Sequence, residues 1–269
     1  MIILYIRRQY KRGMTDRFWR LAQELIVDAD IILHVLDARW GTWTLSEKVV
    51  KLCEMHSKPL IYVFNKCDLL SKREALRLKK KLQPSVIFSS KNHFGLRDLR
   101  AAMGIASSKM HKKEVKIGVV GYPNTGKSSV INALKGRHSA PASSRSGTTK
   151  GLQLIRISQN ILLVDSPGVL PLQDIPEHQL ALLDSTNPDH LKDPITVACS
   201  LLELMIEQYG ETWLYEQFGV VYAGEIDEDL LEDIAKMKNR LRSGGRGDAT
   251  LIAKQIVQQW QKGELVGGS

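Results

Sequence analysis

Residues 121–128 read Gly121-Tyr122-Pro123-Asn124-Thr125-Gly126-Lys127-Ser128, and this stretch decides the fold. The spacing G-x-x-x-x-G-K-[ST] marks a phosphate-binding loop when an apolar strand precedes it and a helix follows. Both flanks are present: Val115–Val120 is a strand-sized apolar run, and Ser128–Leu134 has helical periodicity. The glycines let backbone N–H groups wrap a phosphate at the positive end of that helix. Lys127 is expected to reach the β- and γ-phosphates, and the Ser128 hydroxyl to take a place on Mg2+. Asn124, Thr125, Gly126 and Ser129 complete the phosphate-side set.

The loop does not choose the nucleotide. Asn65-Lys66-Cys67-Asp68 does, and it follows the strand Leu60–Phe64 at the carboxyl edge where ligands bind in open α/β sheets. A carboxylate at Asp68 accepts both the N1–H and the exocyclic amine of guanine, a donor pair that adenine lacks. Asn65 is expected to hydrogen-bond O6 or N7, while the Lys66 stem covers the base and braces the loop. Ser89-Ser90-Lys91 ends the next strand and is placed to offer a backbone N–H to guanine O6. GTP and GDP are therefore the predicted cofactors.

Downstream, Asp165-Ser166-Pro167-Gly168 begins 37 residues after Ser128. Asp165 is predicted to hold Mg2+ through water, and the Gly168 N–H to contact a γ-phosphate. Gly147-Thr148-Thr149 lies between, in a Ser-, Pro- and Gly-rich stretch read as a mobile loop. A Thr hydroxyl that completes the Mg2+ shell only when a γ-phosphate is present would act as a switch, and Thr149 is preferred over Thr148. Catalysis is assigned to Lys127, Thr149 and Gly168, and the Mg2+ set to Ser128, Thr149 and Asp165. Val169 occupies the place where Ras-like enzymes orient water with Gln, so slow intrinsic hydrolysis is expected. Asn124 stands at a loop position resembling that of potassium-dependent GTPases, which adds K+ to the cofactors and Asn124 to the metal ligands; a plain turn residue is the other reading. His138 is a candidate water-positioner, with an exposed surface His the favoured reading.

An ordinary GTPase carries its phosphate loop first and its base-reading motif last; here the order is reversed. This arrangement resembles the circularly permuted GTPases of the YlqF/YawG (RbgA-like) family, over most of the chain. Ala29–Arg39 is similar to the family's opening strand and D-A-R sequence, Gly121–Ser129 to its G-x-P-N-x-G-K-S-S loop, and Asp165–Leu170 to its D-[ST]-P-G-[IV]-L segment. Asp193–Glu203 and Lys262–Leu265 resemble its helical C-terminal region more loosely. The resemblance implies hydrolysis of GTP to GDP and phosphate, stimulated by K+ or the ribosome. It also implies action as a nucleotide-controlled assembly factor on large ribosomal subunit precursors, through rRNA and a ribosomal protein. One departure stands out: residues 1–30 contain no His, so the catalytic His that the bacterial branch carries in a P-G-H-M-type sequence has no counterpart there.

Strands alternating with helices through residue 165 predict an α/β fold, a doubly wound P-loop sheet in permuted order. Helices are expected over Thr15–Ile26, Ser46–His56, Lys72–Leu82 and Gly95–Met103, with a hairpin of Leu152–Ile157 and Ile161–Asp165 closing the sheet. After Pro171 only helical periodicity remains, over Pro194–Tyr209, Glu228–Leu241 and Thr250–Trp260. The reading is a basic N-terminal helical extension (1–27), a permuted GTPase domain (28–172) and an all-α C-terminal domain (173–269).

The net charge of +9 is unevenly spread: residues 1–175 carry 30 Lys/Arg against 13 Asp/Glu, and residues 176–269 carry 8 against 16. A half that basic favours a polyanion, RNA above all, over a merely solvated surface. Lys72, Arg73, Arg77, Lys79, Lys80 and Lys81 crowd one helix, Arg7, Arg8, Lys11 and Arg12 crowd the N-terminus, and Lys236, Lys238, Arg240, Arg242 and Arg246 form the one basic stretch of the acidic half. A GTP-dependent protein-interaction switch with no RNA partner is the alternative function; a P-loop kinase or ATPase is disfavoured by Asn65–Asp68. The apolar runs are too short to span a bilayer, and no secretory signal is expected. Cys53, Cys67 and Cys199 lack metal-like spacing and read as neutral thiols in a reducing cytosol. A cytoplasmic monomer without membrane contact is expected.

Overall fold

The computed structural model describes residues 19–135, 153–165, 170 and 187–265, and the chain divides into two compact units, Met1–Gln173 and Asp174–Ser269. The first unit is built on a six-stranded sheet. Its strands are β1 (Ile31–Asp37), β2 (Leu60–Asn65), β3 (Ser85–Ile87), β4 (Val115–Val120), β5 (Gln153–Ser158) and β6 (Ile161–Asp165). Their spatial order is β3-β2-β1-β4-β6-β5. All neighbours run parallel except the β5–β6 hairpin, because only the short Gln159-Asn160 connection permits a direct antiparallel return.

Helices cover both faces, so the central strands are apolar throughout rather than alternating; every residue of β1 is buried. On one face Leu99 and Met103 of α4 (Leu96–Ser108) and Val130, Ile131 and Leu134 of α5 (Lys127–Lys135) join Leu33, Val35 and Val119 in one core. On the other, Leu78 of α3 (Lys72–Lys81) and Val50 of α2 (Glu47–Met55) pack with Leu36, Tyr62 and Phe64. Helix α1 runs through residues 19–28, and its Leu25 and Ile26 are fully buried. Gly118 permits that approach, since a Cβ there would lie 3.0–3.2 Å from Ile32, Ala29 and Leu25. His34 is buried in β1, where loss of water and then the Lys127 charge push its pKa down to about 3, so the ring is neutral.

The strand order reverses between β1 and β4, the switch point at which open α/β sheets place their ligands. Asp37, Asn65, Val120 and Asp165 all end strands at that carboxyl edge. Lys72–Lys81, Glu47–Met55 and the hairpin fall within a residue or two of their expected limits, while α4 runs on five residues past Met103.

The second unit is all helical among its described residues: α6 (Pro194–Tyr209), α7 (Thr212–Phe218), α8 (Glu228–Met237) and α9 (Ala249–Lys262), with a single 3-10 turn at Pro188–His190. Asp193, Asp227 and Asp248 cap α6, α8 and α9, each side chain accepting from a backbone N–H in the first turn, which stabilises each helix by about 1 kcal/mol. The seven-residue α7 has no counterpart in the sequence reading; buried Trp213, Leu214 and Phe218 hold it. Helix α8 stops at Met237, short of Leu241, because Arg240 and Leu241 leave the helix to form a turn bridged at Leu241 and Gly247.

Candidate functional site

Two loops 60 residues apart in sequence are joined by one side chain. Asn65, almost fully buried, donates from Nδ2 to the Thr125 carbonyl in the phosphate loop at 2.9 Å. Its Oδ1 accepts from Ser90 N at 3.2 Å. The amide therefore pins the base motif, the phosphate loop and the Ser89–Lys91 turn to one another. Gly126 makes this possible: its φ is +92°, and a Cβ there would overlap the Asn65 amide.

The base side is held by further contacts. Asp68, exposed at the turn after β2, accepts from Ser89 Oγ at 2.6 Å. Lys66 has φ +65°, a conformation that costs a non-glycine residue roughly 1 kcal/mol, and two contacts hold it there. Its Nζ lies 2.9 Å from Asp37 Oδ2, and the next residue, Cys67, donates its N–H to Phe88 O at 3.2 Å. Of the three N–H groups expected to face guanine O6, Ser89's donates to Phe94 O at 3.0 Å and Ser90's to Asn65 Oδ1 at 3.2 Å, which leaves that of Lys91 as the candidate.

On the phosphate side, α5 begins at Lys127, so the first-turn N–H groups of a nine-residue helix point at the loop's mouth. Lys127 is mostly buried, and burial pushes its pKa down to about 8. Its Nζ donates to Tyr122 O at 2.7 Å, a neutral acceptor for a desolvated cation. Such an ammonium fits an anion, and the donor-rich loop around it is the chemistry of a polyphosphate cradle. Ser128 and Ser129 are exposed, and their hydroxyls have no partner among the described residues. Asn124 is exposed with φ +61°, and Thr125 Oγ1 braces the loop by donating to Tyr122 O at 2.9 Å. Ser128 thus fits an oxygen ligand for a hard cation.

The motif order, base-reading loop before phosphate loop around one switch point, is that of a permuted G domain. The comparisons agree. A family model described as a 50S ribosome-binding GTPase matches residues 116–213. A GTP-binding protein of Methanocaldococcus jannaschii is 38% identical over 247 residues, covering 91% of this chain and 65% of its own length. Nucleolar GTP-binding protein 2 of Saccharomyces cerevisiae is 31% identical over 266 residues, 95% of this chain and 54% of its own length. Among solved structures, GNP-bound YlqF from T. maritima superposes with a TM-score of 0.53 at 20% identity, covering 96% of this chain and 97% of that one. The chain has the circularly permuted G-domain fold of YlqF and is similar along nearly its whole length to GTP-binding proteins.

The chain spans about half the length of the nucleolar proteins it matches. Asn65, Lys66, Asp68, Ser89, Ser90, Asn124, Thr125, Gly126, Lys127, Ser128 and Ser129 gather at the carboxyl edge of the sheet, with Lys91 following Ser90. The backbone of Asp165 ends β6, whose Val164 pairs with Gly118 of β4. Thr148, Thr149, Gly168, Val169 and His138 lie outside the described residues.

In the sequence only family likeness singles out Asp37 and Arg39, yet Asp37 is a partner of Lys66. The D-A-R sequence immediately after an apolar strand was the available signal. Cys53, Cys67 and Cys199 are unbonded thiols, and burial pushes each up to about 11. Among the described residues no group of His, Cys, Asp and Glu forms a metal cluster, and no helix is long and apolar enough to cross a membrane.

Proposed function

We propose that the chain binds GTP and GDP with Mg2+, hydrolyses GTP to GDP and phosphate, and uses its nucleotide state to time a step in large-subunit assembly through contacts with rRNA. The observation that carries this reading is the Asn65 amide, which binds the phosphate loop and the guanine-motif loop into one site. Asp68, steadied by Ser89, supplies the acceptor pair for guanine, and Lys91 the donor to O6. Lys127 exchanges the Tyr122 carbonyl for the β- and γ-phosphates. Ser128, Asp165 and Thr149 would hold Mg2+, which supplies charge neutralisation on the transferred phosphoryl group. Thr149 and Gly168 respond to the γ-phosphate. With Val169 in place of a water-orienting Gln, intrinsic turnover is slow, and K+ beside Asn124 or the ribosomal particle accelerates it.

The ribosomal destination draws on the match of residues 116–213 to a 50S ribosome-binding GTPase family and on the likeness to nucleolar GTP-binding proteins. The RNA contact draws on α3, where Lys72, Arg73, Arg77, Lys79, Lys80 and Lys81 are exposed and none makes an ion pair among the described residues. By contrast, the basic stretch of the second unit is partly spent on its own acids, with Lys236 on Asp233 at 2.8 Å and Arg242 on Asp248 at 3.0 Å. A cationic helix face with no acidic partner among the described residues suits a phosphate backbone. The chain acts as a cytoplasmic monomer.

Co-sedimentation with large-subunit precursor particles tests the reading. More chain should pellet with a non-hydrolysable GTP analogue than with GDP, and turnover in KCl should exceed that in NaCl. Equal pelleting in both nucleotide states, or none, overturns the assembly role. Asp68→Asn should move preference from guanine to xanthine nucleotides, and an unchanged preference overturns the base assignment.

A further inference from the structure

Asp37 is the last residue of β1 and pairs in register with Asn65, the last residue of β2, so the carboxylate emerges directly beside the base motif. It is 1% exposed, and Arg39, two residues on, is 3% exposed. The guanidinium folds back and grips the carboxylate with a fork: Nε to Oδ1 at 3.0 Å and Nη2 to Oδ2 at 2.7 Å. The Arg39 backbone N–H adds a third bond to Oδ1 at 3.1 Å, and the Asp37 N–H donates to Thr44 Oγ1 at 3.1 Å. With its rotamer fixed on one side by this fork, Asp37 presents Oδ2 to Lys66 Nζ at 2.9 Å. Burial alone would raise the Asp37 carboxyl, but Arg39 and then Lys66 outweigh it and hold the group below the ordinary carboxylate range.

A buried ion pair is weak evidence for stability, since desolvation offsets much of the attraction. What it fixes well is geometry. Lys66 sits in a left-handed conformation that needs an anchor, and the turn it opens, Cys67–Leu69, carries Asp68. We propose that Asp37 and Arg39 are positioning residues for nucleotide retention: Arg39 aims Asp37, Asp37 clamps Lys66, and the clamp keeps the Asp68-bearing turn in its base-gripping conformation. Neither residue touches the nucleotide. This rests on the guanine-site reading above.

The test is release of a fluorescent GDP analogue from the full chain, followed by stopped flow for wild type, Asp37→Asn, Lys66→Ala and the double variant, with thermal melts to confirm folding. Asp37→Asn should speed release about tenfold, the worth of one charge-assisted bond, and Lys66→Ala about as much. The double variant should release no faster than Lys66→Ala alone, within about twofold, because Asp37 acts through Lys66. A purely structural carboxylate gives a different pattern: wild-type release from Asp37→Asn, or effects that multiply to about a hundredfold, and either result overturns the proposal. Should Asp37→Asn fail to fold, Arg39→Lys completes the cycle, because it keeps the buried charge and loses only the fork. It should speed release when Lys66 is present and not in the Lys66→Ala background; acceleration in both backgrounds overturns the proposal. Failure of the guanine reading looks different: wild type would not retain the GDP analogue at all, and both readings would fall together.

Discussion

On the base side of the site, every polar side chain of the motif already has a protein partner: Asn65 on Thr125 O and Ser90 N, Lys66 on Asp37, Asp68 on Ser89. On the phosphate side, Lys127 rests on the Tyr122 carbonyl, and the hydroxyls of Ser128 and Ser129 have no partner among the described residues. One half is held by the protein's own groups, and the other keeps hydroxyl groups that no described residue engages. Preorganised groups lose little freedom on binding and so give selectivity. Groups that must change partners report which ligand is present. On the function proposed above, the division gives guanine recognition to a fixed frame and sensing of the phosphate number to the part that rearranges.

The largest effect should come from cutting the strap between the halves. Asn65→Ala leaves the Thr125 carbonyl and the Ser90 N–H without their partner, at about 1–3 kcal/mol each, and GDP should bind about a hundredfold more weakly. Gly126→Ala attacks the same contact from the other side, since its methyl needs the volume of the Asn65 amide. Isothermal titration of both variants checks this. Wild-type affinity in Asn65→Ala would mean that the halves are aligned by the sheet alone.

A pH series separates the halves without mutation. In the free chain burial pushes Lys127 down to about 8, and the phosphates restore a higher value in the complex. Below pH 8 the amine is already charged before binding. Above pH 8 binding has to recharge it, so affinity for GDP falls as pH rises, by about tenfold between pH 7 and pH 9. Guanosine carries the same base titration but no phosphate, and should escape the Lys127 contribution. Competition binding with both ligands across this range tests the contrast, and Lys127→Arg should flatten the GDP curve. An equal decline for both ligands would show that the titrating group lies on the base side.

The sheet, its permuted order and the two motif loops were legible because each rests on local signals. The apolar runs of β1, β2 and β4 are long enough to be strands, and the phosphate loop declares itself by spacing. The site's inner bracing was not legible. That Asn65 holds Thr125 rather than standing free for the base depends on a contact across 60 residues. That Asp37 serves Lys66 depends on parallel register between β1 and β2, which spacing alone cannot fix. Helix α7 escaped for another reason: seven residues give barely two turns of periodicity, and its place is secured by the burial of Trp213 in tertiary packing.

The smallest expected effect probes the base side alone. Ser89 is fully buried, and its hydroxyl is the one protein donor seen on the Asp68 side chain among the described residues. Ser89→Ala removes that bond and leaves Asp68, an exposed carboxylate on a short turn, free to sample other rotamers. One neutral-to-charged hydrogen bond at a partly exposed position is worth about 1 kcal/mol, or roughly a fivefold loss of GDP affinity. The nature of the loss matters more than its size. In the proposed site Asp68 accepts from two donors of guanine, and hypoxanthine keeps the N1–H but lacks the exocyclic amine. A carboxylate that wanders loses the two-point grip first, so affinity for GDP should fall more than affinity for IDP, narrowing the ratio between them. Equal losses for both nucleotides would place Ser89 in the support of the turn as a whole, and the fixed frame on the base side would then consist of Asn65 and Lys66 without Asp68.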